Sequence, residues 1–560
     1  MSNPEVISAM GIGAIGIGTS SQTVSSVFAN TAQAFGELPF VCVLPETAAI
    51  YGIDAGEQSY AVLQARIARL RSQYLAAGYG HGHRVGLLLE NRPAFFEHWF
   101  ALNGLGVSVV PINPDLRAAE LEYLVGHSEI ALAVALAERH DFLRAAALAA
   151  DRPLALMADG DAPPAAPFPA PLAGQAPNEL SECALMYTSG TTGRPKGCVL
   201  QNRYYLYAAQ WYADLGGLAT LQLGQERMLT PLPLVHMNAM AFSAIAMVLT
   251  GGCLIVLDRF HPASWWANVR DSRATVVHYL GVMPAMLMKS PAQSDDRRHT
   301  VRFGFGAGVD KALQAPFEER FGFPLLEGWA MTETGAGAVV IENHEPRLVG
   351  TSCFGREQAD VQVRIVSDDG GEAGCDKPGE LWVRHAGDDP QYGFFERYLK
   401  DAVATDEAWA QGWFHTGDIV SRDAQGLLHF IDRRKNVIRR SGENISAVEV
   451  ESVLNQFAEI KVCAVAATPD EVRGDEVLAC VVTPTPIAPS ARAALATRLV
   501  EHALSRLAYY KAPGYVAFVE ELPLTASQKI QRGELKAMAL ALPGQPNCID
   551  TRSLKKRQAS

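Results

Sequence analysis

The sequence predicts an α/β fold: a large compound N-terminal domain of parallel or mixed sheets flanked by helices, followed by a small α+β domain. Three observations carry this. Short apolar runs alternate with helical stretches from residue 84 onward, the 560 residues exceed what one hydrophobic core organises, and the sequence changes character near residue 430.

RVGLLLE (84–90) is a buried apolar run, followed by a helical stretch, the strand GVSVVPI, a second helix and the strand IALAVAL. Runs this apolar fit strands buried on both faces, which means a parallel sheet covered by helices on each side. Residues 152–178, with DAPPAAPFPAPLAGQAP at their centre, predict an extended surface connection. Strand-like runs resume in LMYTSG, ERMLTPLPL, CLIVLD (253–258) and ATVVHYLG (274–281).

Beyond residue 430, FIDRRKNVIRRSGENISAVEVESVLNQF packs Arg433, Arg434, Lys435, Arg439 and Arg440 ahead of SGEN and an amphipathic helix. The strands KVCAVAATP (461–469), EVLACVVTP (476–484) and YVAFVEELP (515–523), with a helix over about 491–508, complete a compact unit. The expected domains are therefore 1–432 and 433–545. Residues 546–560, ending in RSLKKRQAS, read as a solvated tail.

The formal net charge of −12 gives no support for nucleic acid as a partner. Nine cysteines occur singly, with no C-x-x-C pair, so neither a zinc site nor a disulfide framework is indicated. The apolar run MGIGAIGIG (10–18) is short, glycine-rich and lacks a preceding basic residue, and no stretch is long enough to span a membrane. A cytoplasmic location is expected.

The richest local signal is YTSGTTGRPKG (187–197). Glycines let backbone N–H groups approach an anion closely, Thr188, Ser189, Thr191 and Thr192 add hydroxyl donors, and Lys196 adds a point charge. That composition suits a triphosphate cradle. A glycine-rich hairpin is the other reading, and the G-x-x-x-x-G-K-[ST] pattern fails because the fifth residue after Gly190 is Pro195.

In the same order along nearly the whole chain come PLPLVHMNAM (231–240), FGFGAG (303–308), GWAMTETG (328–335), HTGD (415–418), IDRRKNVIRRSGEN (431–444) and LPLTASQKIQRGELK (522–536). Together with the phosphate-loop string, they resemble the adenylate-forming superfamily of acyl-CoA synthetases, peptide-synthetase adenylation domains and luciferases. The resemblance implies a carboxylate attacking the α-phosphate of Mg-ATP, release of pyrophosphate, and transfer of the acyl-adenylate to a thiol. Two anions must meet, so such catalysis is mainly positioning and charge neutralisation.

The resemblance also assigns roles. Lys529 is the catalytic lysine. Thr188, Ser189, Gly190, Thr191, Thr192, Gly193, Lys196, Gly306, Ala307, Gly328, Trp329, Thr332, Asp418 and Arg433 bind ATP, with Asp418 and Arg433 at the ribose. Glu333 holds Mg²⁺, a hard cation that keeps most of its waters. His236, Asn238 and Trp329 border the acyl pocket, Lys435 is the hinge of a mobile C-terminal domain, and Gly442 faces CoA, where a missing Cβ lets a pantetheine arm pass.

The wording of several motifs is similar to the crotonobetaine/carnitine-CoA ligase branch. Yet HMNAM, HYLGVM (278–283) and FGFGAG contain no Asp or Glu to meet a trimethylammonium group. Asn238 and the histidines suit a short acid with a neutral-polar or anionic substituent, such as a hydroxylated, sulfonated or dicarboxylic acid. A carnitine-type acid is the alternative. Expected partners are a small carboxylic acid, ATP and CoA. An adenylation protein loading a carrier's phosphopantetheine is the second functional reading, and a regulatory relative without catalysis is disfavoured by the joint presence of Lys529, Glu333, Asp418 and Lys196.

Overall fold

The computed structural model describes residues 21–188, 194–367, 369–433, 437–485, 487–523 and 530–556. Ser189, Gly190, Thr191, Thr192, Gly193, Arg434, Lys435 and Lys529 lie outside the described residues, as do the side chains of Val282, Asp432 and Arg433. The chain forms two compact units. The first is Met1–Pro114, Ser128–Met186 and Gly197–Asp432; the second is Asp115–His127, Tyr187–Lys196 and Arg433–Ser560.

The first unit is organised by sheets whose interior strands are the apolar runs of the sequence. In the eight-stranded sheet the order is Val340–Ile341, Leu325–Trp329, Phe303–Ala307, Val276–Leu280, Arg227–Thr230, Cys253–Val256, Pro39–Val43 and Gly56–Ser59. Its six inner strands run parallel, and antiparallel strands close both edges. A seven-stranded sheet has Arg84–Leu88 parallel to both Ser108–Pro111 and Leu132–Ala135. A five-stranded sheet, Cys353–Gly355, Leu428–Arg433, Phe414–Arg422, Gly379–His385 and Val361–Val366, is antiparallel in its registers.

Helices seal these sheets with aromatic side chains. Phe28, Phe40, Tyr60, Phe96 and Phe100 form one fully buried group, with the Phe28 and Phe40 rings edge to face at 5.2 Å. Each such ring contributes about 1.5–3 kcal/mol through burial. The Pro/Ala-rich connection forms no helix or strand from 158 to 181, yet it is tied down: Ala166 N–H donates to the Ala77 carbonyl at 2.8 Å and Leu172 N–H to that of His81 at 3.0 Å.

In the second unit, Val462–Asp470 and Gly474–Val482 form a long antiparallel pair. The sheet order is Glu443–Ser446, Val437–Arg440, Gly474–Val482, Tyr515–Phe518 and Cys548–Asp550. Helix Ala447–Leu454 begins where the Ser446 side chain accepts from Glu449 N–H, and Pro489 opens helix Pro489–Leu504. Ser441 and Gly442 link two strands in a hairpin with φ of 51° and 89°. Two positive φ values are the signature of a type I′ turn, and glycine adopts one without strain.

One expectation is corrected here. Residues 546–560 are not simply a solvated tail, because Cys548–Asp550 pairs with Tyr515–Phe518 and Lys555 is buried. Arg440, from the basic run ahead of SGEN, is also buried, against Glu476. In both cases a buried carboxylate compensates the charge. Among the described residues, no helix is long and apolar enough to cross a membrane, and no disulfide forms.

Candidate active site

Sequence-assigned residues of the first unit gather at the C-terminal ends of the parallel strands Phe303–Ala307 and Leu325–Trp329, which is where open α/β sheets bind ligands. Gly306 and Gly328 are there for sheet packing as well. A Cβ on Gly306 would come within 2.3 Å of the Tyr279 carbonyl oxygen, and one on Gly328 within 2.9 Å of the Phe305 ring. Ala307 is half-buried at the strand's end.

Trp329 and Asp418, 89 residues apart, meet directly. The indole Nε1 donates to Asp418 Oδ2 at 2.9 Å, and both residues are buried. The HTGD bend aims this carboxylate: Thr416 Oγ1 donates to the Leu381 carbonyl at 2.6 Å and accepts from Asp418 N–H at 3.0 Å, while Gly417 N–H donates to Glu380 Oε1 at 3.0 Å. A carboxylate oriented by an indole is a directional acceptor, suited to paired sugar hydroxyls.

The Thr332–Gly335 turn is equally constrained. Tyr204 donates its hydroxyl to the Thr332 carbonyl at 2.9 Å, and Thr334 Oγ1 accepts from Met331 N–H at 3.0 Å. Glu333 is buried, its Oε1 accepting from the Tyr398 hydroxyl at 2.9 Å. Burial and the neighbouring Glu333 raise the Tyr398 phenol well above its ordinary range, so it remains a donor. A buried carboxylate fits Mg²⁺, and among the described residues no group of three or more His, Cys, Asp or Glu could hold a metal unaided. One carboxylate, with substrate phosphates and waters, is an ordinary Mg²⁺ environment.

Two further residues shape this region. Glu327, in the strand LLEGW, accepts from Gly308 N–H at 2.9 Å, Val309 N–H at 3.2 Å and the Tyr279 hydroxyl at 2.8 Å. It thereby fixes the turn that follows Ala307. Nothing assigned Glu327 a role from sequence, although a carboxylate inside an apolar strand was a visible anomaly.

His278 is fully buried, and burial pulls its imidazole down to about 3, so it is neutral. Its Nδ1 lies 2.9 Å from Asn238 Oδ1 and 2.8 Å from Ser243 Oγ, and its Nε2 lies 3.2 Å from the Tyr212 hydroxyl. Asn238 opens a π-helix, Asn238–Ile245, in which the Ser243 hydroxyl donates back to the Asn238 carbonyl at 3.2 Å. The structure thus uses Asn238 and His278 on each other. His236, half-buried, precedes them and accepts from Met240 N–H through its carbonyl at 3.2 Å.

In the second unit, the two flanks of the phosphate-loop string are anchored to one helix, Ala118–Ser128. The Tyr187 hydroxyl lies 2.8 Å from His127 Nδ1, and Tyr123 donates its hydroxyl to the Pro195 carbonyl at 2.9 Å. Arg194 lies over the Tyr123 ring at 5.4 Å. No local pattern in the sequence marks Tyr123, His127 or Tyr398, because their roles arise only from tertiary contact.

Comparison with known proteins identifies the family and agrees with the fold. A family model described as AMP-binding enzyme matches residues 42–392, and one described as AMP-binding enzyme C-terminal domain matches residues 449–529. A feruloyl-CoA synthase of Amycolatopsis sp is 33% identical over 482 residues, covering 85% of this chain and 93% of that protein. A crotonobetaine/carnitine–CoA ligase of Citrobacter koseri is 29% identical over 512 residues, covering 88% and 96%. Among solved structures, an o-succinylbenzoate CoA synthetase variant from Bacillus subtilis has a TM-score of 0.76 at 23% identity, covering 92% of this chain and 98% of that one. The amide bond synthetase McbA from Marinactinospora thermotolerans has a TM-score of 0.76 at 22% identity, covering 92% and 99%. The chain belongs to the AMP-binding enzyme family, in its ATP-dependent, AMP-forming acyl-CoA ligase branch, whose members use ATP, CoA and Mg²⁺.

Proposed function

We propose that this chain activates a small carboxylic acid with an uncharged body, first as its acyl-adenylate and then as its CoA thioester. The observation that carries the choice of acid is the commitment of the charged and polar groups around the acyl positions. His278 is buried and neutral, so it offers no cation to a sulfonate or second carboxylate. Glu327 is held by three donors and Asp418 by an indole, which argues against a carboxylate awaiting a trimethylammonium group. A hydroxylated, neutral acid meets this environment without an unpaired charge. The identity to a protein named feruloyl-CoA synthase supports the same direction.

In this reading Asp418 and Arg433 hold the ribose, and Gly306, Ala307, Gly328 and Trp329 border the adenine and acyl group. Lys196 and the hydroxyls of Thr188, Ser189, Thr191 and Thr192, with Gly190 and Gly193, cradle the departing phosphates. Mg²⁺, when bound at Glu333, neutralises phosphate charge. Thr332 donates to phosphate, and Lys529 supplies the charge at the α-phosphate during adenylation. Residues 433–545 then turn about Lys435, withdrawing Lys529 and presenting the Gly442 turn to the thiol.

The test has two parts. A panel of neutral hydroxylated, dicarboxylic, sulfonated and betaine-type short acids is assayed for AMP release with and without CoA. Fastest turnover on a charged acid would sink the proposed substrate class, and AMP release independent of CoA would point to carrier loading. Lys529→Ala should abolish acid-dependent pyrophosphate exchange while sparing reaction of presynthesised acyl-adenylate with CoA. Equal loss of both steps in folded protein would remove the role given to Lys529.

A further inference from the structure

The C-terminal residues of the second unit lead to a buried lysine. After strand Cys548–Asp550, Thr551 N–H donates to the Gly514 carbonyl and its hydroxyl to the Pro513 carbonyl, each at 2.9 Å. Arg552 pairs with Asp470 at 3.0 Å. Lys555 then places a fully buried ammonium on the Glu476 carboxylate and on the Tyr510 carbonyl, 3.2 Å away.

Glu476 is the centre of the cluster. It is fully buried, and it accepts from Arg440 Nε at 2.9 and 2.8 Å through its two oxygens. A Cβ on Gly514 would come within 2.4 Å of its side chain, so glycine is what lets Glu476 lie there. Arg440 is the last strand residue before the Ser441–Gly442 turn, and Ser441 N–H donates to the Arg473 carbonyl at 2.9 Å. Contacts therefore run without a gap from the C-terminal segment, through Glu476 and Arg440, to that turn. The segment lies past residue 529, where the match to the family's C-terminal model ends.

We propose that Lys555 is a positioning residue for thioester formation, holding the Ser441–Gly442 turn through Glu476 and Arg440 in the conformation that admits the thiol arm. This rests on the reading that the turn faces CoA. Two buried cations share one carboxylate, with Arg473 nearby. Burial, and then Arg440, pull the Lys555 ammonium down to about 7, and in Lys555→Met the Glu476 carboxylate still has its buried partner Arg440 on both oxygens.

The full-length enzyme is assayed in two half-reactions: acid-dependent pyrophosphate exchange, and thioester formation from presynthesised acyl-adenylate and CoA. Lys555→Met should slow thioester formation about 10-fold or more, since misplacing a reacting partner by about 1 Å costs up to about 100-fold. The loss should fall on kcat, leave exchange and the KM for ATP unchanged, and be partly rescued by Lys555→Arg. Arg552→Ala, at a pair whose arginine is 43% exposed, loosens the same segment without touching the buried cluster and should give a smaller loss of the same kind.

Equal loss of both half-reactions in Lys555→Met and Arg552→Ala overturns the inference, because the segment is then a stability element only. Gly442→Leu separates this from the underlying reading. If it spares thioester formation, the turn does not face CoA. If it blocks that step while Lys555→Met and Arg552→Ala leave it intact, the positioning role alone is wrong.

Discussion

The buried neutrality of His278 has a measurable price in acid. An exposed histidine takes up a proton near 6.5, whereas His278 in the fold stays neutral down to about 3. Between those values the unfolded chain binds more protons than the folded one, so stability is full above about 6.5 and falls as pH drops towards 3. The slope approaches about 1.4 kcal/mol per pH unit, and from pH 7.5 to 5.0 the loss integrates to about 2 kcal/mol. That figure does not depend on the folded value so long as it lies well below 5.

His278→Gln keeps a donor and an acceptor but does not titrate, so the variant should lose about 2 kcal/mol less than wild type over the same interval. All eight tryptophans lie in the first unit, so tryptophan fluorescence during guanidinium unfolding reports on the unit containing His278 alone. Denaturation curves at the two pH values, for both proteins, give the double difference. A double difference below about 0.5 kcal/mol would refute the assignment of His278 as a buried neutral group.

Two other outcomes are expected. Asp418→Ala should raise the KM for ATP about 10- to 100-fold, the range of a lost hydrogen bond to a charged group, while Trp329→Phe, which removes the indole N–H and part of the ring but leaves the carboxylate, should have a smaller effect; an unchanged KM in folded Asp418→Ala protein counts against the ribose contact. Glu327→Ala takes the acceptor from the Gly308 and buried Val309 N–H groups, while the Tyr279 hydroxyl keeps the Leu326 carbonyl at 3.2 Å, and unfolding followed by fluorescence should show a loss of about 2–5 kcal/mol; a loss under about 0.5 kcal/mol would mean that water or a rearranged turn replaces the carboxylate.

The strands were legible because their signal is local. CLIVLD and ATVVHYLG became Cys253–Val256 and Val276–Leu280, and KVCAVAATP became most of Val462–Asp470, since an apolar run bounded by polar residues has few other ways to bury itself. The C-terminal segment was misread for the opposite reason. Nothing within RSLKKRQAS shows that Lys555 has a carboxylate waiting 79 residues upstream. The same limit applies around the site. Trp329 and Asp418 were each marked by a motif, but that they touch was not, and Tyr398 carried no mark at all. His278 sits in VVHYL, a context equally suited to a pocket wall and a core, and only its burial decides between them.

The π-helix at Asn238–Ile245 has a consequence for how this family member can change. A wide turn of this kind holds one residue more than an α-helix would over the same rise. Deleting a single residue from it would restore the 3.6-residue repeat without turning the residues on either side, and would take one side chain out of the wide turn beside His278. Substitution changes a side chain there, whereas a one-codon deletion narrows the backbone that carries it. The surroundings of His278 are thus open to change by length as well as by composition.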